Sequence, residues 1–376
     1  MNSFALRCWT EVSRHQIVDN FRAVRNVVGA SVGIMPVVKA DAYHHGAVEV
    51  SRLLVGEGAQ WLAVSSVEEG ASLRQAGIQA RILVMADFLP AERAGLIEYE
   101  LTPVIHSLPD LREWDQLAVR SGMPLHYHLK IDTGMGRLGA RAGAAEILDA
   151  VNGARHCRLE GLMTHFASAG DYSTPQTEEQ TATFLDIVSG LRRAGVEPHY
   201  LHLASTIPVA YGRSRAWGQF VRPGHAIYGY VPPPRGDVPE RILDVKPALT
   251  WKASILTVKD LPEGSLVGYG GTYRTSRPTR IAVVAAGYAD GVPHQLSNKG
   301  KLIASGKLVP ILGAVSMDVT TIDVTDCPPL APGDSVTILG REGDTSLDAQ
   351  DIASVAGTIS YSILCNISAR VRTIYV

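Results

Sequence analysis

The sequence predicts an α/β protein, an N-terminal (β/α)8 TIM-type barrel followed by a second, mostly β domain. Three observations carry this. Through the first ~230 residues, short β-branched apolar runs alternate with stretches of helical period, as repeated βα units require. About eight such runs fall within fewer than ~250 residues, the complement of a closed barrel, although a doubly wound open sheet shares the alternation. After a Pro-rich, charged segment the helical period fades and strand-like segments with short turns take over.

The runs lie near Gly33–Lys39, Trp61–Ser65, Arg81–Met85, Leu101–Ile105, His126–Ile131, Glu160–Thr164, His199–Leu203 and Phe220–Tyr228, with helix-like segments such as Ser65–Gln75 and Thr177–Arg193 between them. Val231–Pro247 breaks both periodicities with prolines and charges and reads as a linker. Beyond it, ALTWKASILTVKDL, TRIAVVAAGY, KLVPILGAVSMDVTTIDV and DSVTILG are strand-like, and Asp348–Ala356 is the main helical pattern. The domains are expected at residues 1–235 and 236–376, with the first residues of the chain available to pair with the second domain.

At 376 residues the chain exceeds the usual single-domain size and can build a sizeable core. Its 35 Lys and Arg against 37 Asp and Glu leave a net charge of −2 with no run of like charge, which argues against a nucleic-acid partner. With 46% hydrophobic and 19% charged residues, and Gly and Pro dispersed, the composition is that of an ordinary globular protein. MNSFALRCWTEVSRHQ lacks a secretory pattern, and no apolar stretch approaches the ~18 residues of a spanning helix, so a cytoplasmic protein with no membrane partner is expected. Cys8, Cys157, Cys327 and Cys365 lie far apart without metal or disulfide spacing and read as idle thiols.

Barrel active sites gather at the C-terminal ends of the strands. Lys39 ends the first run, Arg137 sits in the Gly-rich IDTGMGRLG after the fifth, and His165 ends the sixth. Ser205 follows the seventh run, and Arg222 and Gly224 lie in the eighth as RPG. The loops after strands seven and eight often bind phosphate, and here they offer a hydroxyl and a backbone-opening glycine. Desolvation and neighbouring cations disfavour an ammonium, so a lysine at the mouth of an apolar strand can serve as a Schiff-base nucleophile. Alone, such a lysine is more often solvated or salt-bridged. A phosphate site, a Schiff-base lysine and an arginine for a ring nitrogen together suggest pyridoxal phosphate.

These residues belong to a longer pattern. CWTEV, VVKADAYHHG, LKIDTGMGRLG, GLMTHFASA, RPGHAIYG, VGYGGTY, AAGYADG, VSMD, TISY and ARVRTIY follow one another in this order, and over nearly its whole length the chain resembles the alanine racemases. The resemblance implies an isomerase dependent on pyridoxal 5'-phosphate that interconverts L- and D-alanine, in the context of peptidoglycan precursors, as a homodimer with shared active sites. It implies that Lys39 carries the cofactor and acts as one base and that Tyr269, supplied by the partner subunit, is the other. Racemisation removes a proton from one face and returns it to the other, so two opposed bases are a chemical requirement. By the same resemblance Tyr43, Ser205, Gly224 and Tyr361 are phosphate ligands, Arg222 faces the pyridine nitrogen, and His165 links Arg222 to the partner's tyrosine. An arginine keeps its proton, so it leaves that nitrogen unprotonated and weakens the ring as an electron sink. Arg137 corresponds to the carboxylate-binding arginine, Lys130 to a lysine that is carbamylated in family members, and Met317, Asp318 and Tyr288 to residues lining the partner's substrate pocket. For Met317 alone, core packing would be the commoner role.

The departures from the family pattern cluster where substrate approaches. Val292 and His294 stand where the family more often has Tyr and Arg, Ala314 replaces an arginine, and Gly170 an aspartate, with Asp171 one residue late. His44, Ala204 and Ser362 replace a glycine, an asparagine and a glutamate. A wider, less charged entrance follows, and with it the expectation that serine is accepted beside alanine, since a methylene is discriminated by only ~1–3 kcal/mol in a pocket that is not tightly closed. Two rival classes remain. His126 and His128, two apart on one strand, would suit a metal-dependent hydrolase of the same architecture, although no further ligands complete a metal site. A non-catalytic pyridoxal-phosphate carrier would share the barrel but would not need the second domain.

Overall fold

The computed structural model describes residues 6–86 and 88–376. Met1–Ala5, the start of the stretch read above for a targeting signal, lie outside the described residues, as does Asp87. The chain forms two compact units that interleave in sequence. One comprises Ile17–Ala42 and Ala47–Lys246; the other comprises the residues up to Gln16, Tyr43–Gly46 and Pro247–Val376.

The opening strand β1 (Cys8–Val12) belongs to the second unit, and helix α1 (Arg14–Val28) leads into the first. There the strands are β2 (Gly33–Ile34), β3 (Trp61–Val64), β4 (Arg81–Val84), β5 (Thr102–Ile105), β6 (Leu125–Lys130), β7 (Cys157–Met163), β8 (Tyr200–His202) and β9 (Phe220–Val221). β3 to β8 pair in parallel in chain order as a six-stranded sheet, and β2 pairs in parallel with β9. Two seams close the ring. Val37, just past β2, bridges to Ala63 of β3, while the Gln219 and Arg222 amides donate to the carbonyls of Leu201 and Ala204 at 2.8 and 2.9 Å. The closed barrel, and not the open sheet, is therefore what forms. The strands WLAV and TPVI are buried at every position, as parallel strands covered on both faces must be.

Between the strands run α2 (Lys39–His44), α3 (Ala47–Gly56), α4 (Val67–Gln75), α5 (Arg93–Glu98), α6 (Leu108–Ser121), α7 (Ala144–Gly153), α8 (Gln176–Arg193) and α9 (Thr206–Ala210). Ser66 and Ser107 cap α4 and α6, their hydroxyls accepting the amides of Glu69 and Asp110 at 3.3 and 3.1 Å. α8 buries Phe184, Ile187, Val188 and Leu191, the i, i+3, i+4, i+7 face of an amphipathic helix. The expected strand Phe220–Tyr228 stops at Val221. Pro223 has no amide to donate, and the chain passes through Gly224 into a 3-10 turn at His225–Tyr228.

The second unit is mostly strand, as expected. The long β10 (Leu249–Leu261) alternates buried and half-buried positions through its first seven residues, the pattern of a strand with one covered face. It pairs antiparallel with β1. β11 (Leu266–Val267) and β12 (Tyr273–Arg274) form a hairpin whose connection carries Tyr269. β13 (Thr279–Val284), β14 (Lys301–Ala304), β15 (Lys307–Pro310), β16 (Thr320–Asp323), β17 (Ser335–Glu342), β18 (Thr345–Leu347) and β19 (Arg372–Tyr375) complete a nine-stranded sheet with β1 and β10. α10 (Ala349–Ala356) is capped by the Asp348 carboxylate and ends at left-handed Gly357; α11 (Ser360–Cys365) follows and carries Tyr361. Among the described residues no helix is long and apolar enough to cross a membrane.

Candidate active site

Lys39, half-buried, opens α2, and α2 is left-handed: Ala40, Asp41, Ala42, Tyr43 and His44 have φ of 51, 50, 53, 54 and 64°. None is glycine. For L-residues this conformation costs about 1–2 kcal/mol each, so the turn stores roughly 5–10 kcal/mol that its surroundings must offset. The Ala42 amide donates to the Val38 carbonyl at 2.9 Å, the Ala40 amide to Glu69 Oε1 at 2.7 Å, and the Ala47 amide to Asp41 Oδ1 at 2.7 Å. Strain held this firmly directly after the candidate reacting lysine is of the kind that clusters at active sites and ligand clamps. Nothing in the composition of KADAYH signals it.

Beneath the mouth runs a buried polar chain that the sequence did not reveal. The ladder registers Val104↔His128, His128↔Gly161 and Gly161↔Tyr200 align these residues on one face of the sheet. The ring contacts of Trp61 with His128 and Tyr200, on strands far apart in the ladder, identify that face as the barrel interior. Arg222, buried and donating to the carbonyls of Thr164 and Leu203 at 2.8 and 3.1 Å, also lies 2.9 Å from His202 Nδ1. His202 Nε2 is 2.7 Å from His128 Nδ1, and His128 Nε2 faces Glu160 at 3.8 Å, near enough for attraction and too far for a hydrogen bond. Arg81 grips Glu160 with both terminal nitrogens while its guanidinium carbon sits over Trp61, 3.9 Å from the ring centroid. Burial would raise the Glu160 carboxyl, but His128 and Arg81 outweigh it and hold it at about 2. Burial keeps His128 and His202 neutral, with Arg222 and the facing imidazole adding to the effect on His202.

The mouth itself is positive. Burial, then Arg137, Arg222 and Lys39, push the Lys130 amine down to about 8, against a weaker pull from Asp132. Burial, then Arg222, Lys130, Arg137 and Lys39, push His165 down to about 3. Arg222 itself is lowered by burial to about 9 and keeps its charge at neutral pH. His106 stands one step beyond the Ile105↔Leu129 pair, hence beside Lys130. Burial and then Lys130 bring its ring to about 4, and both its nitrogens are buried without a hydrogen bond of proper geometry. Asp132 shapes the Gly-rich turn: its Oδ1 accepts the amides of Gly134, Met135 and Gly136 at 3.2, 2.9 and 3.0 Å, and Arg137 follows, exposed. Gly139, at φ 121°, lies so near the backbone that a Cβ would stand 2.8 Å from the Asp132 nitrogen. Ser205 is the N-cap residue of α9 yet does not use its side chain to cap it, and Gly224 is buried at the start of the following 3-10 turn.

In the second unit the structure brings together Tyr43 and Tyr361, ring centroids 5.9 Å apart, and burial pushes the Tyr361 hydroxyl up to about 12, so it stays protonated. Tyr288 and Met317 also meet: the Tyr288 and Ala289 amides donate to the carbonyls of Ser316 and Met317, both at 3.0 Å. Asp318 is held by Arg370 at 2.8 Å, and Arg7 donates to its carbonyl. Asp290 anchors the arrangement, its carboxylate accepting the Gly287 amide at 2.9 Å and facing Arg7 and Arg370. Tyr269 follows Gly268, and a Cβ on Gly268 would stand 3.2 Å from the Ala314 nitrogen, so the tyrosine's loop rests on Gly313–Ala314. Of the departures, Val292 is buried, His294 is exposed and 6.3 Å from the Tyr288 ring, and Gly170 abuts Ile207. A cavity of about 380 Å³ is lined by Tyr288, Val292, His294 and Ser362, among others.

His126 is exposed and His128 is committed to His202, so the pair forms no metal site, and no cluster of metal-ligating side chains exists among the described residues. Glu69, His106, Asp132, His202 and Glu160 escaped the sequence analysis. Inward alternation back from Lys130 places His128, noted above only for its spacing from His126, inside the barrel; the roles of the residues that escaped depend on contacts seen only in the fold.

The comparisons agree with one another. Residues 12–232 match the family model for the alanine racemase N-terminal domain and residues 248–375 that for the C-terminal domain. An alanine racemase of Halothermothrix orenii is 39% identical over 368 residues, 98% of this chain and 96% of the relative. The crystal structure of alanine racemase from D-cycloserine-producing Streptomyces lavendulae superposes with a TM-score of 0.93 at 32% identity, covering 100% of this chain and 98% of that one. The alanine racemase of Bartonella henselae, with covalently bound pyridoxal phosphate, gives 0.88 at 25% identity, covering 98% of this chain and 99% of that one. With the barrel closed, the lysine set on its strained turn and both family domains matched in order, the chain belongs to the alanine racemases.

Proposed function

We propose that this chain interconverts L- and D-alanine with Lys39 and Tyr269 as the two proton-transferring side chains. The observation that carries the reading is the barrel mouth: Lys39 on its left-handed turn, amid Lys130, Arg137 and Arg222, with His165 kept neutral by burial and then by their field. So much positive charge calls for anionic ligands, and a phosphate together with a substrate carboxylate would supply them. The residues therefore fit pyridoxal 5'-phosphate. Lys39 would hold it covalently, Tyr43, Ser205, Gly224 and Tyr361 would bind its phosphate, and Arg222 would face its ring nitrogen with His165 beside it. When bound, the cofactor supplies an electron sink for the charge left at the α-carbon.

Arg222, which only donates, cannot protonate that nitrogen and so restrains the sink, favouring return of the proton over side reactions. Arg137 would grip the substrate carboxylate in a two-pronged bond. Lys130, at about 8, is roughly one-tenth neutral at pH 7, the form that carbamylation requires, and a carbamate there would turn a repelling cation into a partner for Arg137. Tyr269, Tyr288 and Met317 are 76%, 46% and 52% exposed, unusual for side chains of this size. We assign them, with Asp318, to the partner's active site in a homodimer acting in the cytoplasm on D-alanine for peptidoglycan.

Incubation of the protein with pyridoxal phosphate and L-alanine, followed by chiral chromatography, should yield D-alanine. Lys39→Ala should abolish the borohydride-trapped adduct, and Tyr269→Phe should cut turnover in both directions by roughly 10²–10⁴-fold while the cofactor stays bound. No D-alanine from a protein that still forms the adduct would turn the reading to a cofactor carrier. The exposed His294 and the small Ala314 and Gly170 favour a broader substrate range as the second reading. A kcat/KM for serine roughly a thousandfold below that for alanine would refute it, since open pockets discriminate less.

A further inference from the structure

The Glu69 carboxylate, in the first turn of α4, joins two strand ends. One oxygen accepts the Ala40 amide at 2.7 Å and the other accepts the Ser65 amide at 2.7 Å. Ala40 follows Lys39 and begins the left-handed residues; Ser65 follows β3, the strand to which the Lys39 segment is bridged through Val37 and Ala63. Both bonds are shorter than the usual 2.9–3.0 Å of an amide hydrogen bond, as a charged acceptor makes them. Glu69 is itself held, its amide donating to the Ser66 hydroxyl that caps α4.

A run of left-handed residues without glycine keeps its shape only while its surroundings over-determine it. The bonds from Ala42 to Val38 and from Ala47 to Asp41 lie close in sequence, whereas Glu69 reaches the turn from 29 residues away and ties it to the neighbouring strand. We propose that Glu69 is a positioning residue for the racemase reaction, fixing through the Ala40 peptide the direction in which Lys39 leaves its strand. The proposal rests on Lys39 being the reacting lysine. Glu69 acts through the backbone and not on substrate.

Glu69→Gln keeps the shape but offers one oxygen and one NH2, so one of the two amides faces a donor. Glu69→Ala removes both acceptors. A 1 Å misplacement of a reacting group costs about 10²-fold, so Glu69→Gln should lower kcat in both directions by roughly 10–10²-fold with KM within about threefold. Its borohydride-trapped adduct on Lys39 should form correspondingly more slowly, and the amides of peptides spanning residues 38–43 and 63–67 should lose protection against hydrogen exchange in the protein without cofactor. Ser107→Ala, which removes the equivalent cap of α6, controls for general destabilisation and should leave kcat, adduct formation and those two peptides unchanged. A Glu69→Gln protein with wild-type kcat, with wild-type protection at residues 38–43, or with losses matched by Ser107→Ala overturns the proposal. If Glu69→Ala fails to fold, Glu69→Gln decides alone. Failure of the function reading would appear separately, as wild-type protein that yields no D-alanine; adduct rate and exchange would still judge the clamp.

Discussion

An arginine donates hydrogen bonds and accepts none, and that asymmetry sets the protonation of the barrel interior. Because Arg222 presents N–H to His202 Nδ1, that nitrogen must accept, and the proton of His202 sits on Nε2. His202 then donates to His128 Nδ1, and the His128 proton sits on Nε2, towards ionised Glu160. Nitrogen-15 spectra of histidine-labelled protein should show both rings as the Nε2–H tautomer at neutral pH. A His202 ring carrying its proton on Nδ1 would refute the donation from Arg222. The linkage has a definite sign. Burial lowers both rings below the value near 6.5 that they have in the unfolded chain, so their contribution to stability is complete above that pH and stability slopes downward as pH falls through it towards the folded values. Urea unfolding followed through tryptophan fluorescence from pH 8 to 5 reads that slope, and a flat profile would contradict it. The same geometry says that Arg222→Glu would set an acceptor among acceptors and destabilise before it altered chemistry, whereas Arg222→Lys keeps donors in place.

At the scale of elements, what the sequence showed and what it hid divide by range. The 3.6-residue face of α8 and the apolar strands WLAV and TPVI are local signals, and they placed those elements to within a few residues. The handedness of α2 and the extent of β9 were not local. The first is imposed on ordinary residues by bonds such as that of Glu69, and the second ends where Pro223 withholds a donor. Gly287, inside AAGYADG, shows a motif residue whose reason emerges only in the fold. A Cβ there would stand 2.3 and 2.4 Å from the Ser316 and Met317 carbonyls, on the very loop that pairs with Tyr288 and Ala289. Gly287→Ala must push Tyr288 and Met317 apart. Overpacking of this kind costs about 1–3 kcal/mol, and because both side chains are assigned to the substrate pocket, KM for alanine should rise severalfold while the cofactor spectrum stays unchanged. An unaltered KM would remove Tyr288 and Met317 from the pocket.

For the whole molecule, the second unit leaves Tyr269, Met317, Tyr288, Leu266 and Ile359 exposed, side chains that folded proteins usually cover. A two-fold homodimer would set these side chains of each chain against the barrel mouth of the other, so that each active site draws its lysine from one chain and its tyrosine from the other. Complementation separates this arrangement from one in which both come from a single chain. Lys39→Ala and Tyr269→Phe chains, each inactive alone, would be unfolded together and refolded as a mixture. If the sites are shared, each mixed dimer carries one site with both defects and one with neither. Random pairing makes half of the dimers mixed, and half of their sites are intact, so the mixture should recover about one quarter of wild-type turnover. If each site lies within one chain, every site keeps a defect and nothing is recovered. Leu266→Lys places a charge on an exposed side chain that abuts Gly271 beside the Tyr269 turn and should favour the monomer in analytical ultracentrifugation. Applied to both chains of the mixture, it should abolish the recovered quarter while the Lys39 adduct of the Tyr269→Phe chain persists, because under this reading cofactor attachment needs one chain and proton return needs two.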